Sequence, residues 1–272
     1  MPAPATPLDG QVVLITGGAR RLGAAMARRF HAAGAKLLVH YRSSSGEAEA
    51  LLAGLNAARA GSAAGHAADL LDTAALPGIV GAALAAFGRL DILVNSASTF
   101  YPTPIGEVTP AAWDDLMGTN LKAPLFLSQA AAPELRRRRG LILNMVDIHG
   151  QRPLKRFPLY CAAKAGLVML TRSLARELGP DVRVNGIAPG PVLWPEAGYD
   201  AGLKAKIVER TALKREGSAD DIVRAALFFA TEAPYVTGQI LAVDGGRRLA
   251  LQPAQAPSPR STGPSGPAPA PG

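Results

Sequence analysis

Residues 16–23 read TGGARRLG and lie between a short apolar run, residues 12–16, and a helical pattern over residues 22–33. A glycine-rich turn between a strand and a helix leaves backbone N–H groups free at the helix N-terminus, where they form a binding site for anions. The turn does not have the Gly-x-Gly-x-x-Gly spacing of the common dinucleotide fingerprint. We interpret it as a pyrophosphate site, and an ordinary strand–helix turn is the alternative.

Outward from this turn, strand patterns alternate with helix patterns along the chain. The predicted strands are residues 12–16, 36–41, 63–68, 90–95, 141–146, 182–188 and 240–243, and the predicted helices are residues 22–33, 47–60, 73–87, 111–138, 159–178, 201–210 and 219–230. This alternation indicates a parallel sheet covered by helices on both faces. Because crossovers are right-handed, we expect an α/β class protein with a single doubly wound, Rossmann-type sheet.

The predicted domain covers residues 9–249. Residues 1–8 are predicted to be a flexible N-terminus, and the Pro/Ala-rich residues 250–272 a disordered tail. Of the 272 residues, 48% are hydrophobic and 18% charged, which predicts a substantial core. No apolar run reaches the length of a membrane span, so we expect no membrane partner.

The single cysteine, Cys161, excludes an internal disulfide and a cysteine-based metal cluster, and it fits a reducing cytoplasm. We predict no metal site. The net charge of +8 raises the possibility of nucleic-acid binding. However, the densest basic run, residues 136–139, ends a helical pattern, where cations complement the helix dipole. We therefore expect no nucleic-acid partner, and we assign part of the positive charge to an anionic cofactor.

The second predicted strand ends without the carboxylate that an NAD enzyme places there to bind the ribose diol, because the first acid to follow is Glu47. Arg42 suits a ribose 2′-phosphate, to which nearby serines can donate. The pattern favours NADPH/NADP⁺ as cofactor, and an ordinary solvated loop is the alternative. The predicted contacts at this strand end are His40, Tyr41, Arg42, Ser43 and Ser44.

Tyr160 and Lys164 are four residues apart near the start of a predicted helix, which places them on one face, one turn apart. A nearby ammonium group lowers the pKa of a tyrosine, as a proton donor near neutral pH requires. The alternative is a half-buried Tyr160 and a solvated Lys164. Asp147 ends the fifth predicted strand, thirteen residues before Tyr160, and could either assist Tyr160 or cap the following loop.

Taken in order, these motifs resemble the short-chain dehydrogenase/reductase family over residues 9–249. The turn nearly matches the family's Thr-Gly-x-x-x-Gly-x-Gly, with Arg21 in place of the middle glycine. Ser96 and Ser98 depart from an Asn-Asn-Ala-Gly signature, and Asp147 stands where most members have serine. The resemblance implies that Asn120 is an active-site residue, with a buried Asn bonded to backbone as the alternative, and that Lys164 holds the nicotinamide ribose.

These departures are shared with pteridine reductases. The shared features are Arg21, residues 98–102, residues 145–147 and residues 40–43. At the last of these, pteridine reductases often have one more residue before the arginine that corresponds to Arg42. This resemblance implies reduction of dihydrobiopterin, dihydrofolate or a related pterin by NADPH. It also implies that Phe100 stacks the flat pterin against the nicotinamide and that Arg21 contacts cofactor phosphate and the pterin. A core aromatic is the alternative for Phe100.

The predicted site residues have three kinds of role, and some residues have two of them. The predicted catalytic residues are Asn120, Asp147, Tyr160 and Lys164. The predicted cofactor contacts are Gly17, Arg20, Arg21, Leu22, Gly23, His40, Tyr41, Arg42, Ser43, Ser44, Asp69, Leu70, Asn95, Ser96, Ala97, Ser98, Lys164, Pro189 and Gly190. The predicted substrate contacts are Arg21, Ser98, Phe100, Asp147, Tyr160, Pro191 and Trp194.

Two rival functions stay open. A ketone or 3-oxoacyl reductase uses the same Tyr and Lys but ordinarily has serine at position 147, and a cofactor-sensing regulator would have lost catalysis. Residues 192–199 are predicted to form a flexible lid, and His149 either lines the pocket or lies on a surface loop. The family resemblance implies a homotetramer with residues 111–138 and 159–178 at the interface.

Overall fold

The computed structural model describes residues 6–192, 194 and 200–249. Its centre is one fully parallel sheet of seven strands in the order β3-β2-β1-β4-β5-β6-β7. The strands are β1 (Val12–Ile15), β2 (Lys36–Tyr41), β3 (Ala63–Ala67), β4 (Ile92–Asn95), β5 (Leu141–Met145), β6 (Arg183–Pro189) and β7 (Ile240–Val243). The predicted doubly wound α/β fold is confirmed.

Helices cover both faces of the sheet. They are α1 (Arg21–Ala32), α2 (Ser45–Ala58), α3 (Leu76–Phe87), α4 (Pro110–Met117), α5 (Ala123–Arg138), α6 (Pro158–Leu178), α7 (Ala201–Glu209) and α8 (Ala219–Thr231). One apolar cluster joins the sheet to α1, α2 and α8, and includes Phe30 and Phe229. A second joins it to α3, α5 and α6, and includes Ile79 and Leu127. Full burial of each such side chain contributes about 1.5–3 kcal/mol.

Two layers of helices explain why the central strands read as continuous apolar runs. Every residue of β1 and of β5 is buried, because both faces of these strands are covered. β1 pairs with β2 on one side and with β4 on the other, so the chain reverses its winding direction at β1. The loops that leave the neighbouring strands therefore diverge and open a crevice at the carboxyl edge, where ligands bind in such sheets.

Most predicted boundaries lie within two residues of those in the structure, and three differences are more informative. The helical region predicted over residues 111–138 is two α-helices joined by a π-helical turn, Gly118–Lys122, which contains Asn120. Residues 73–75 precede α3 instead of belonging to it, because Asp72 accepts the N–H of Ala74 in a local turn (3.0 Å). Leu8, assigned above to the N-terminal segment, is fully buried in the core. The predicted tail, residues 250–272, lies outside the described residues.

In the part of the chain that the structure describes, no helix combines the length and the apolar character that crossing a membrane requires.

Candidate active site

A cleft of about 1010 Å³ opens at the carboxyl edge of the sheet. Segments that follow all seven strands line it, together with the first turns of α6 and part of α7, so residues distant in sequence meet there. The predicted residues that line it are Gly17, Arg20, Arg21, Leu22, Gly23, His40, Tyr41, Arg42, Ser43, Ser44, Asp69, Leu70, Ser96, Ala97, Ser98, Phe100, Asp147, Tyr160, Lys164, Pro189, Gly190, Pro191 and Trp194. Asn95 and Asn120 are not among its lining residues.

The glycine-rich turn is held against the loop after β4. The buried Thr16 hydroxyl accepts the backbone N–H groups of Ser96 (2.9 Å) and Ala97 (3.1 Å). A Cβ added at Gly23 would lie 2.1 Å from the carbonyl oxygen of Gly17, so any side chain there would displace the turn. Arg21 adopts a left-handed φ of +50°, which explains why the related motif has glycine at this place. We infer that the strain at Arg21 is retained for a function.

His40 connects the turn to the end of β3. Its Nδ1 accepts the N–H of Gly17 (3.3 Å), and its Nε2 donates to the carbonyl oxygen of Ala68 (3.1 Å), which requires the neutral tautomer with the proton on Nε2. Burial lowers the pKa of His40 to about 4, so the ring is neutral near pH 7. Although His40 lines the cleft, it fixes the turn by these two hydrogen bonds.

The wall formed by the turn and the end of β2 suits a nucleotide cofactor. Helix α1 begins at Arg21 without a side-chain cap from the described residues, which leaves its N–H groups for a pyrophosphate. Glu47, the nearest acid after β2, forms an ion pair with Arg20 (3.6 Å). Arg42 is exposed on the same wall. The donor set therefore fits a dinucleotide with an additional phosphate, held by the turn, Arg20 and Arg42.

Asp147, Tyr160 and Lys164 form a buried group at the other end of the cleft. The Tyr160 hydroxyl donates to Oδ2 of Asp147 (2.8 Å), and Oδ1 of Asp147 accepts the N–H of His149 (2.8 Å). The carboxylate therefore both contacts Tyr160 and caps the following loop, the two roles considered from the sequence. Lys164 Nζ donates to the carbonyl oxygen of Met145 (2.9 Å) and lies 5.6 Å from the centre of the Tyr160 ring.

The electrostatics of this group contradict one expectation from the sequence. Burial, followed by the charge of Asp147 and the hydrogen bond to it, raises the pKa of Tyr160 well above its ordinary value. The predicted lowering by Lys164 is wrong for this geometry, because Asp147 contacts the hydroxyl directly while Lys164 does not. Burial also lowers the pKa of Lys164 to about 8, against the opposing effect of the Asp147 charge. The solvated Lys164 considered as an alternative is excluded, since it is 2% exposed.

Asn120 lies beneath the cleft instead of lining it. Its Oδ1 accepts the hydroxyl of Ser98 (2.7 Å), and its Nδ2 donates to the carbonyl oxygens of Thr99 and Leu116 (both 3.0 Å). The geometry is thus that of a buried amide bonded to the loop after β4. The structure does not support a direct catalytic contact for Asn120. A role in positioning Ser98 is what these contacts favour.

Asn95 is also buried below the cleft. Its Nδ2 donates to Oδ1 of Asn144 (2.8 Å), whose own Nδ2 donates to the Thr171 hydroxyl (2.9 Å). This chain of hydrogen bonds ties β4 and β5 to α6. Its Oδ1 is buried and has no hydrogen-bond partner among the described residues. The structure thus shows a structural role for Asn95, and the cofactor contact stays a prediction.

Phe100 combines the two alternatives considered for it. It is half-buried and lines the cleft, but its ring also stacks on Phe157 (centroids 4.6 Å apart, planes at 14°). The Phe100 ring also packs edge to face with the Tyr160 ring, with centroids 4.8 Å apart and planes at 80°. These contacts hold the orientation of Phe100 beside the Tyr160 hydroxyl.

Arg21 and Trp194 meet over the cleft, where Arg21 Nη2 donates to the carbonyl oxygen of Trp194 (2.8 Å). Most of the segment predicted as a lid, residues 193 and 195–199, lies outside the described residues. His149 lines the cleft, with Nδ1 3.0 Å from the carbonyl oxygen of Arg152.

Several lining residues were not predicted from the sequence. They are Ala19, Thr99, Thr119, Met145, Val146, Ile148, Leu154, Val192, Leu203, Ile207 and Arg247. For three of them the sequence contained a signal. Leu203 and Ile207 are four residues apart in α7, and Arg247 follows Gly245 and Gly246 at the carboxyl end of β7, the edge at which ligands bind.

Comparisons with known proteins agree with this geometry. A family model described as enoyl-(acyl carrier protein) reductase matches residues 17–248. Pteridine reductase 1 of Leishmania tarentolae is 35% identical, over 88% of this chain and 96% of that protein. A 3β-hydroxysteroid dehydrogenase of Eggerthella lenta is 34% identical, over 89% of this chain and 95% of that protein.

Among solved structures, a blue fluorescent protein from a metagenomic library, in complex with NADPH, is 35% identical with a TM-score of 0.83. The match covers 89% of this chain and 99% of that one. These similarities confirm the resemblance inferred from the ordered motifs. The chain belongs to the short-chain dehydrogenase/reductase family of oxidoreductases.

Proposed function

We propose that this protein reduces a pterin, such as dihydrobiopterin or dihydrofolate, with NADPH. The observation that carries the proposal is the 2.8 Å hydrogen bond from Tyr160 to Asp147, beside the aromatic ring of Phe100 in the same cleft. A carboxylate next to the proton donor suits protonation of a ring nitrogen. It would repel the negative charge that develops on the oxygen of a ketone during reduction.

When bound, NADPH supplies the hydride that adds to the carbon of a C=N bond in the substrate. Tyr160 remains protonated near neutral pH because its pKa is raised, so it holds a proton for the adjacent nitrogen. As Tyr160 loses that proton, Asp147 relays a replacement from solvent. Lys164 lines the cleft one helical turn after Tyr160 and, as an ammonium, binds the cofactor ribose and stabilises the transient phenolate.

The predicted cofactor, NADPH, is supported by the phosphate-binding wall of the cleft and by the NADPH complex of the metagenomic relative. Arg42 is available for a 2′-phosphate, while the nearest carboxylate, on Glu47, is paired with Arg20. This arrangement disfavours a carboxylate contact to the ribose diol of NADH. We assign the turn, Arg20 and Arg42 to the cofactor.

The rival function is reduction of a ketone or 3-oxoacyl group. Relatives of nearly equal identity include a pteridine reductase and a hydroxysteroid dehydrogenase, so identity alone does not choose between them. The choice of a pterin rests on Asp147, Phe100 and Arg21 in one cleft. A non-catalytic regulator is disfavoured by the intact contact between Tyr160 and Asp147.

The test is NADPH oxidation measured with dihydrobiopterin, dihydrofolate, a quinonoid dihydropterin, a simple ketone, a 3-oxoacyl thioester and a 3-ketosteroid. We expect kcat/KM for at least one pterin to exceed that for every carbonyl substrate by roughly a hundredfold. Turnover of carbonyl substrates alone would establish the rival function. Cofactor binding without turnover of any substrate would favour the regulator.

We also propose a homotetramer in the cytoplasm. Large apolar side chains are exposed on the helices predicted to form the interface, with Trp113 50%, Phe126 37% and Met169 62% exposed. Exposed apolar side chains of this size favour burial against a second copy. Light scattering coupled to size exclusion tests the tetramer, and a monomer at micromolar concentration would refute it.

A further inference from the structure

Arg247 is a cation in the cleft that the proposed reaction does not use. It follows β7 in a short 3₁₀ turn, Arg247–Leu249, and lines the same cleft as Asp147 and Trp194. This turn lies at the cleft because the residue that follows β6, Gly190, packs closely on Asp244, which precedes the turn. A Cβ added at Gly190 would lie 2.6 Å from the Cα of Asp244. The next residue, Arg248, donates from Nη1 to Oε1 of Gln151 (3.2 Å) in the loop that follows Asp147. Arg247 therefore lies beside the end of β6, on the side of the cleft that Asp147 occupies.

The charge of Arg247 is not balanced by an ion pair with any described residue. The closest acid in sequence, Asp244, is committed to the backbone. Its Oδ1 accepts the N–H of Gly246 (2.9 Å), and its Oδ2 accepts the N–H of Arg248 (2.8 Å). For a half-buried guanidinium that has no carboxylate partner among the described residues, burial is costly unless a ligand supplies the negative charge.

Two further cations act on Arg247. The loop after α7 packs on the same glycine turn, since Leu213 N–H donates to the carbonyl oxygen of Gly245 (3.1 Å), and this brings Arg210 close. Arg152 comes from the loop that also carries His149. Burial, then the charges of Arg210 and Arg152, lower the pKa of Arg247, and the charge of Asp244 opposes them. Guanidinium groups gathered in this way attract anions.

We propose that Arg247, within this positive rim, binds a carboxylate carried by the tail of the substrate. This inference rests on the proposed pterin reduction and deepens it. It assigns a substrate whose flat ring lies at Phe100 and whose tail ends in an anionic group, as in a folate with its glutamate. A pterin with a short uncharged side chain, such as dihydrobiopterin, would offer Arg247 no anionic group.

The first measurement compares dihydrofolate, its dimethyl ester and dihydrobiopterin as substrates of the full chain with saturating NADPH. The ester keeps the ring and the tail of dihydrofolate but carries two uncharged methyl ester groups in place of the two carboxylates. We expect dihydrofolate to have the lowest KM of the three. Because a hydrogen bond to a charged group is lost, Arg247→Gln should raise the KM for dihydrofolate roughly tenfold or more. The KM values for the ester, for dihydrobiopterin and for NADPH should stay unchanged.

A matched control is Arg29→Gln, which removes a positive charge from an exposed site on α1 far from the cleft lining. It should leave all four KM values as they are, so that loss of overall charge is separated from loss of the contact. Raised salt should increase the KM for dihydrofolate in the wild type more than in Arg247→Gln.

The outcomes separate the inference from the function on which it rests. If pterins are reduced but Arg247→Gln leaves the KM for dihydrofolate unchanged, the tail site is refuted while pterin reduction stands. The same holds if the variant raises the KM of the ester as much as that of dihydrofolate. If no pterin is reduced at all, the proposed function fails, and the tail site fails with it.

Discussion

The Tyr160 hydroxyl donates to one oxygen of Asp147 at 2.8 Å, while the other oxygen of the same carboxylate accepts the N–H of His149 at 2.8 Å. One side chain thus positions the proton donor and caps the loop that carries part of the cleft. Substitution of Asp147 consequently has two effects, on chemistry and on loop structure, and they can be measured separately.

Asp147→Asn should keep the cap, because an amide oxygen still accepts the N–H of His149, but it removes the charge beside Tyr160. We expect NADPH binding to persist, the melting temperature to change little, and kcat for a pterin to fall roughly a hundredfold or more. Asp147→Ser should lose pterin turnover similarly and gain slight ketone activity. The measurement is kcat against pH for the three proteins. An unchanged kcat and an unchanged pH profile would leave Asp147 as a cap alone.

Lys164 should make cofactor binding depend on pH. Its pKa in the free protein is lowered to about 8, so the ammonium is present below that pH and is lost as the pH rises through it. The dissociation constant of NADPH should therefore increase above pH 8, by at most about tenfold for each pH unit. Fluorescence titration from pH 6.5 to about 9.5 tests this. In Lys164→Met the curve should be flat over that range, and an equally steep curve would place the titration elsewhere.

Arg42→Ala should weaken NADPH binding and leave NADH binding nearly unchanged. A charge-assisted contact is worth roughly 1.5–3 kcal/mol. Because Arg42 is exposed, we expect the lower end of this range, which corresponds to an increase of about tenfold in the KM for NADPH. Arg29→Ala on α1 serves as the control for net charge. Equal losses for both cofactors in Arg42→Ala would count against a contact with the 2′-phosphate.

Phe100→Ala should raise the KM for a pterin far more than the KM for NADPH. Stacking of a flat heterocycle on an aromatic side chain is worth roughly 1–3 kcal/mol, so we expect an increase of about fivefold to a hundredfold. Phe100→Tyr keeps the ring and should be close to wild type. Phe157→Ala, which removes the ring behind Phe100, should give a smaller rise. A larger rise for Phe157→Ala would mean that Phe157, and not Phe100, stacks the substrate.

Arg21→Gly should separate stability from function. Glycine adopts the left-handed backbone of this position without strain, so the free energy of unfolding should stay constant or rise by up to about 1 kcal/mol. The hydrogen bond from Arg21 to the carbonyl of Trp194 is lost, and the KM for a pterin should increase. Chemical denaturation and steady-state kinetics measure the two effects. A destabilised protein would show that the arginine contacts outweigh the strain.

The sequence by itself determined the fold and most members of the cleft. Apolar runs separated by helical patterns require a parallel sheet, and in such a sheet the carboxyl ends of all strands share one edge. Residues that follow different strands, such as Arg42, Ser98 and Asp147, therefore lie at one edge of the sheet. This could be predicted without knowing any side-chain contact. The spacing of Tyr160 and Lys164 on α6 similarly fixed their common face.

The tertiary structure alone decided which side chains touch. The direction of the Tyr160 pKa depends on burial and on whether Asp147 or Lys164 contacts the hydroxyl, and spacing along a helix does not contain that information. Asn120 turned away from the cleft because a π-helical turn directs its amide under the loop after β4. Arg247 belongs to the cleft only because β6 and the loop after α7 pack against its turn, contacts between segments far apart in the chain.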